Sequence, residues 1–133
     1  MTRLLDTSTC IALIRHKLPD VRKRFQAYQV GDLGISSIVE SELRLGADKS
    51  ADPVKNHRQL DLLLLTLPVL PYDRACAAAY GSLRVHLTKA GTPIGAMDML
   101  IAAHALATGL ILVTANTREF QRVPGLQVED WAA

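Results

Sequence analysis

The feature that most constrains the fold is the alternation of short apolar runs with helical segments along the whole chain. The runs at residues 3–5, 33–35, 69–70, 111–113 and 127–128 are long enough only for brief strands. Between them, apolar spacing and capping residues predict helices over residues 8–15, 19–28, 37–47, 53–64, 73–89 and 98–107. Strands that alternate with helices favour a short parallel sheet with helices on both faces. The sequence therefore predicts one α/β domain over residues 1–133.

Composition narrows the class of protein. The 133 residues suit one domain, and the two cysteines, Cys10 and Cys76, form no C-x-x-C pair. We expect both to be free thiols in a reducing compartment. The four histidines lack the spacing of a zinc site. No apolar stretch reaches the roughly 20 residues of a membrane helix, and Asp6 interrupts the first apolar residues, so we expect a cytoplasmic protein.

The charge of the chain is unevenly distributed. The net charge is only +2, but residues 15–24 hold five Arg or Lys residues, one histidine and a single acid, Asp20. Such a segment is typical of a surface that neutralises phosphates. It is equally typical of a solvated helix face and loop. The sequence leaves both interpretations open.

Polar side chains follow two of the predicted strands. Asp6 comes directly after residues 4–5, and residues 114–116, which end in Asn116, follow the run at residues 111–113. In an open parallel sheet, sites form in the crevice beyond the carboxyl ends of the strands. We therefore expect these two strand ends to be neighbours.

Two glutamates in the predicted helix over residues 37–47 have different surroundings. Glu42 shares a face with Ile38, four residues before it, and Leu45, three residues after it. A carboxylate on an apolar stripe needs a partner or a cation. Glu40 lies on the opposite side, with Arg44 four residues later as a surface partner. Glu42 is thus the candidate site residue and Glu40 a solvent-exposed one.

Asp98 opens the apolar helix predicted over residues 98–107, immediately after a loop with two glycines. A purely structural role competes with a functional one, because Asp is a favoured N-cap and suits the positive end of a helix. The same alternative applies to Asp6.

Together, Asp6, Glu42, Asp98 and Asn116 suggest a cation site. Clustered carboxylates repel one another, so without a cation at least one of them would protonate. An all-oxygen ligand set suits Mg²⁺ or Mn²⁺ better than zinc, and such an ion promotes phosphodiester hydrolysis. Phosphate-binding glycine motifs and a G-x-S-x-G nucleophile motif do not occur. We expect Cys10 to be a packed thiol and His104 a core histidine.

These residues lie in motifs that resemble a known family. Residues 5–8 (LDTS) look like the amino-terminal L-D-T-[SN] of PIN domains, and residues 36–47 look like their second motif, whose acid precedes L-x-x-G and falls on Glu42. Residues 91–105 are similar to the G-x-P-I-G-x-x-D-x-x-I-A-A-H-A stretch of VapC toxins. Residues 113–131 resemble the carboxyl-terminal signature of the same toxins. The match spans nearly the whole chain.

The resemblance implies a PIN-like fold and a Mg²⁺- or Mn²⁺-dependent endoribonuclease toxin that a VapB-type antitoxin holds inactive. It also implies a homodimer and a substrate such as tRNA or another structured RNA. Asp6, Glu42 and Asp98 would then be catalytic metal ligands. Many PIN domains carry a fourth acid where this chain has Asn116, whose amide oxygen would assist the metal. A non-catalytic PIN-like binding module and a metal-dependent nuclease acting on DNA remain as alternatives.

Overall fold

The strands are short, and the central ones are deeply buried. A computed structural model describes residues 1–132, and the five strands in that range pair entirely in parallel. They are β1 (Arg3–Leu5), β2 (Leu33–Ser36), β3 (Val69–Leu70), β4 (Ile111–Val113) and β5 (Val128–Glu129). The predicted α/β class and parallel sheet are confirmed. Only β5 is displaced, by one residue, from its predicted position.

Strand order determines where a site can form. The order across the sheet is β3-β2-β1-β4-β5, so the chain winds outwards in both directions from β1. β1 pairs directly with β4, with Leu5 opposite Val113. Ligands in open parallel sheets bind beyond the carboxyl ends of the strands at such a reversal of order. The predicted proximity of Asp6 to the end of β4 is confirmed, because the backbone N–H of Asp6 donates to the carbonyl of Val113 at 2.9 Å.

Helices cover both faces of this sheet. Residues 1–132 contain α1 (Thr7–Ile14), α2 (Pro19–Gln26), α3 (Ser37–Asp48), α4 (Pro53–Leu64), α5 (Arg74–Ala90), α6 (Ala96–Thr108) and α7 (Thr117–Phe120). α5 and α6 both end at glycines with φ of +69°, Gly91 and Gly109, where a left-handed residue stops the helix at no steric cost. α7 was not predicted, because four residues are too few to show helical periodicity.

The core lies between the sheet and its helices. Its largest fully buried side chains come from β1, β2 and β4, from the helices that pack on them and from the loop after α4: Phe120, Leu4, Leu5, Ile35, Leu60, Leu67, Leu87, Ile101, Leu112, His104, Val39 and Val113. Burial of these apolar side chains is the main favourable contribution to folding. Within residues 1–132, no helix is long and apolar enough to span a membrane.

Charged and aromatic side chains connect the carboxyl-terminal segment to the first 28 residues of the chain. Glu129 in β5 accepts hydrogen bonds from Arg3 at 3.1 Å, from Arg24 at 2.8 Å and from the indole N–H of Trp131 at 2.6 Å. The rings of Tyr28 and Trp131 stack with centroids 5.6 Å apart. We refer to these five residues as the Glu129 cluster.

Candidate active site

One cavity at the carboxyl ends of β1 and β4 brings together all four residues that the sequence singled out. Its volume is about 250 Å³, and α1, α3, α6 and α7 surround it. The lining residues are Asp6, Thr7, Ser8, Ile11, Glu42, Asp98, Ile101, Asn116 and Phe120. We refer to this cavity as the acidic crevice.

Asp6 is almost fully buried and begins α1. Its Oδ1 accepts hydrogen bonds from the backbone N–H of Thr9 at 3.0 Å and from the hydroxyl of Ser8 at 2.8 Å. Its Oδ2 accepts none from any residue between 1 and 132. The two roles considered for Asp6 therefore do not exclude each other: one oxygen caps the helix, and the other is available to the crevice.

Glu42 is held by a neighbour from α1. The hydroxyl of Thr7 donates to Glu42 Oε1 at 2.7 Å, which ties α3 to the helix that Asp6 begins. Glu40, on the other side of α3, pairs with Arg44 at 3.1 Å, and Arg44 also bonds to Asp61 in α4. The prediction that Glu40 is a paired surface acid is confirmed.

The apolar stripe of α3 is not where the sequence placed it. Ile38 is only partly buried and Leu45 is 58% exposed, whereas Val39, Leu43 and Ala47 are buried. The buried face is rotated by about 100°, one residue around the helix, from the predicted face. Glu42 therefore lies at the edge of the packed face, where its carboxylate reaches the crevice without being enclosed in the core.

Asp98 does not cap α6. The helix begins at Ala96 with Gly95 as its N-cap, and the N–H of Met99 already donates to the carbonyl of Gly95 at 2.9 Å. The predicted start of the helix at Asp98 was therefore wrong by two residues. With Asp98 inside the first turn, the capping explanation for this acid no longer holds.

The environment of Asp98 opposes its ionisation. Burial, and then the negative charges of Glu119, Glu42 and Asp6, raise the pKa of Asp98 from its ordinary 3.8 to about 6. The hydrogen bond between Asp98 and Glu119 favours the protonated carboxyl of Asp98 as well. Such a shift marks a carboxylate placed among like charges, as expected for a cation site.

Glu119 is the site residue that the sequence reasoning missed. Its Oε1 accepts from the backbone N–H of Gly95 at 2.9 Å, and its Oε2 accepts from the side-chain amide of Asn116. The hydrogen bond from Gly95 is the main reason that the pKa of Glu119 is lowered. A fourth carboxylate thus lies beside the crevice, supplied three residues after Asn116. The sequence signal for Glu119 was its spacing of about one helical turn from Asn116. This spacing has meaning only if the segment is helical, and α7 was not predicted.

The four acids form no ion pair within the described part of the chain, although the charge of Arg122 helps to lower the pKa of Glu119. Among residues 1–132, none of Asp6, Glu42, Asp98 and Glu119 forms an ion pair with Arg, Lys or His. Within the same range, no three acid, cysteine or histidine side chains converge closely enough to bind one ion as they stand. Asp6, Glu42 and Asp98 line the crevice, and Glu119 lies next to Asp98. Their donor atoms are nevertheless those that a hard divalent cation prefers.

The remaining sequence expectations concern buried polar groups. Cys10 and Cys76 are free, as predicted, and Cys10 is a packed thiol, also as predicted; Cys76 is buried as well. Burial raises the pKa of the Cys10 thiol well above its usual range. His104 is a satisfied core histidine, also as predicted. Its Nδ1 is 2.7 Å from the hydroxyl of Ser36, and burial lowers its pKa. None of the three lines the acidic crevice.

Relatives match this chain over almost their full length. The PIN domain profile matches residues 3–126. The tRNA(fMet)-specific endonuclease VapC of Shigella flexneri is 45% identical over 129 residues, which cover 97% of each chain. Ribonuclease VapC2 of Haemophilus influenzae is 40% identical over 128 residues, 96% of each chain.

Solved structures agree with this relationship. DNA-bound VapBC from Salmonella typhimurium contains a chain with a TM-score of 0.94 and 42% identity, covering 98% of both chains. A chain in VapBC2 from Rickettsia felis, bound to a DNA fragment from the promoter, has a TM-score of 0.93 and 36% identity, covering 98% of this chain and 99% of that one. The chain described here belongs to the PIN domain family and, within it, to the VapC group.

Proposed function

We propose that this protein is a metal-dependent endoribonuclease that acts as the toxin of a VapBC-type pair. The observation that carries the proposal is the acidic crevice, at which four carboxylates form no ion pair within residues 1–132 and the pKa of Asp98 is about 6. The names of its relatives, tRNA(fMet)-specific endonuclease and ribonuclease VapC, support RNA as the substrate. The strand-end position of the crevice supports its use as a ligand site.

Nucleases of the PIN domain family depend on a divalent metal ion. In this chain Asp6, Glu42 and Asp98 would hold it, with Glu119 and Asn116 assisting. A set of carboxylate and amide oxygens without cysteine or histidine fits Mg²⁺ or Mn²⁺. When bound, such an ion offsets the charge of the phosphodiester and makes a water molecule a stronger nucleophile.

The protein's own groups hold the carboxylates in place. Ser8 and the start of α1 fix one oxygen of Asp6, and Thr7 fixes one oxygen of Glu42. Glu119 anchors itself on the N–H of Gly95, so it can bond to the Asp98 carboxyl, which carries a proton below about pH 6. Orientation of this kind is what prealigns reacting groups and lowers the barrier.

The partners follow from the same assignment. A VapB-type antitoxin would cover the crevice and place an Arg or Lys among its acids, which provides the missing positive charge. The VapBC complexes among its structural relatives support this partner. We further propose that residues 1–133 form a single PIN domain, that it acts as a homodimer, and that it works in the cytoplasm on tRNA or another structured RNA.

A cleavage assay tests the proposal against its alternatives. Purified protein is incubated with total tRNA and with single-stranded DNA, in Mg²⁺, in Mn²⁺ and in excess EDTA. We expect RNA to be cut with either ion and to remain intact in EDTA. Cleavage of DNA alone would favour a DNA nuclease, and no cleavage under any condition would favour a non-catalytic binding module. Undiminished RNA cleavage in EDTA would contradict the metal mechanism.

A further inference from the structure

The basic segment, residues 15–24, lies directly after the helix that Asp6 begins. Two of its five Arg and Lys side chains have partners: Arg24 pairs with Glu129, and Arg22 contacts His16. The other three (Arg15, Lys17 and Lys23) are exposed and form no side-chain hydrogen bond or ion pair with any residue from 1 to 132. The segment therefore presents uncompensated positive charge to the solvent.

This positive charge adjoins the acidic crevice. Arg15 and Glu42 both line a groove between α1, α3 and α4, together with apolar side chains from the three helices. Ile11 and Glu42 line both this groove and the acidic crevice, so the two depressions are adjacent. Arg15 follows Asp6 by nine residues, about 13 Å along the axis of α1. That length corresponds to only a few nucleotides of a single strand.

The backbone of the segment is held in an uncommon conformation. His16 and Leu18 have φ of 53° and 59°, in the left-handed region that residues other than glycine seldom occupy. Each such residue costs on the order of 1–3 kcal/mol and persists only where its surroundings impose it. Here α2 is fixed at its other end, because Arg24 bonds to Glu129 and lies over the ring of Trp131 at 5.7 Å. The turn is thereby kept in a fixed shape on an exposed surface.

Electrostatics favours a separate anion-binding surface beside a crevice that acts on a polyanion. A metal ion in the crevice would offset only the charge near the reacting phosphate, so cations beside the crevice would add affinity for the flanking phosphates. Resting on the function proposed above, we infer that the basic segment binds the RNA backbone phosphates that flank the bond to be cut. Arg15 and Lys17 are the principal contacts, and the groove of Arg15 and Glu42 carries the strand from the segment to the crevice.

Salt-dependent binding measures such contacts directly. The Asp98→Asn protein, which should bind but not cut, is titrated against a short fluorescent RNA hairpin over a range of KCl concentrations. A variant with Arg15→Gln and Lys17→Gln in this background should bind about tenfold more weakly at low salt. The slope of log K against log[KCl] should become shallower by about 0.7–0.9 for each lost contact. A matched control carries Arg74→Gln and Lys89→Gln at the two ends of α5, with the same loss of charge, and should keep the parent slope.

Cleavage kinetics of the protein that retains Asp98 supply a second readout. Arg15→Gln with Lys17→Gln should raise KM for RNA and leave kcat nearly unchanged, because the crevice itself is intact. An unchanged salt slope, or an equal loss in the control pair, would overturn the inference. So would unaltered RNA binding together with weakened binding of an antitoxin, which would assign the segment to a protein partner. Because the binding assay uses protein that does not cut, a changed slope without any cleavage by the parent would refute the nuclease function and leave the RNA site standing.

Discussion

The acidic crevice and the Glu129 cluster place carboxylates in opposite electrostatic surroundings. Glu129 has two arginines and an indole N–H as partners, and these lower its pKa. In the crevice, burial and then the negative charges of three other carboxylates raise the pKa of Asp98 to about 6, and no cation among residues 1–132 forms an ion pair with it. The first arrangement stabilises the fold. The second weakens it, and a structure keeps such an arrangement where function requires it.

The difference teaches how to distinguish structural from functional acids in this fold. Burial alone does not, because Glu129 and Asp98 are both partly buried. The sign of the surrounding charge distinguishes the two acids. Substitution of Asp98 should therefore affect activity and spare stability, whereas substitutions in the Glu129 cluster should do the reverse.

Asp98→Asn should have the largest effect on activity. We expect cleavage of RNA to fall by more than about 100-fold, beyond the loss typical of an auxiliary metal-site residue. The melting temperature should not fall, because Asp98 does not cap α6 and the change removes a repulsive charge. Initial cleavage rates and thermal unfolding are the measurements. Near-normal activity in Asp98→Asn would remove Asp98 from the site.

A pair of glutamates on one helix provides an internally matched comparison. Glu42→Gln should reduce cleavage by more than about 100-fold, because the amide lacks the charge that a cation needs. Glu40→Gln loses only a surface pair with Arg44, so activity should stay within about twofold and stability within about 1 kcal/mol. Equal losses in the two variants would mean that α3 contributes through its packing alone.

Asn116 and Glu119 should have intermediate effects. Asn116→Ala removes the amide that bonds to Glu119, and we expect cleavage to fall about 10- to 100-fold, with partial recovery at high Mg²⁺. Asn116→Asp should reach half-maximal rate at lower metal concentration, because it adds negative charge. The measurement is the cleavage rate against metal concentration for the parent protein, Asn116→Ala and Asn116→Asp. A loss in Asn116→Ala as complete as in Asp98→Asn at saturating metal would make Asn116 a direct participant.

Glu129→Gln should lower stability and leave activity unchanged, the reverse of the result expected for Asp98→Asn. The change weakens charge-assisted hydrogen bonds with Arg3 and Arg24, so the free energy of unfolding should fall by about 1–3 kcal/mol. Activity at a temperature where the variant is folded should be unchanged. Denaturant unfolding and cleavage assays on the same preparation would show this. Lost activity in a stably folded variant would break the distinction between the two regions.

The smallest expected effect is on the pH dependence of stability. The pKa of Asp98 in the folded protein is raised, so its favourable contribution is complete below about pH 4 and is lost as pH rises through about 6. The pKa of Glu129 is lowered, so its contribution is present above its ordinary 4.5 and is lost as pH falls. Relative to wild type, Asp98→Asn should therefore gain stability with rising pH, and Glu129→Gln should lose it. The measurement is the free energy of unfolding against pH. Parallel curves for the two variants would contradict the opposite pKa shifts assigned to Asp98 and Glu129.

The sequence predicted the sheet and most of the site because those features depend on local patterns. Apolar runs define the strands, and the polar residues that follow them, Asp6 and Asn116, mark the strand ends at which a site can form. Glu42 was separable from Glu40 because Arg44 follows the latter by one helical turn. These inferences need no knowledge of distant contacts.

What the sequence did not reveal depends on tertiary contacts. The rotation of α3, which exposes Leu45 and buries Ala47, is set by what packs on either side of the helix. The start of α6 at Ala96 rests on a glycine N-cap, a weaker local signal than an aspartate. Glu119 became a site residue only through its bond to Gly95, 24 residues earlier in the chain.

Direct location of the cation tests the central claim, that the crevice acids are kept uncompensated in order to bind a metal ion. Crystals grown with Mn²⁺ would be measured for anomalous scattering, for the parent protein and for Asp98→Asn. We predict a peak within about 2.5 Å of carboxylate oxygens of Asp6 and Asp98, and its loss in the variant under the same conditions. A crevice without a peak in the parent protein at saturating Mn²⁺, in a preparation that cuts RNA, would contradict the claim.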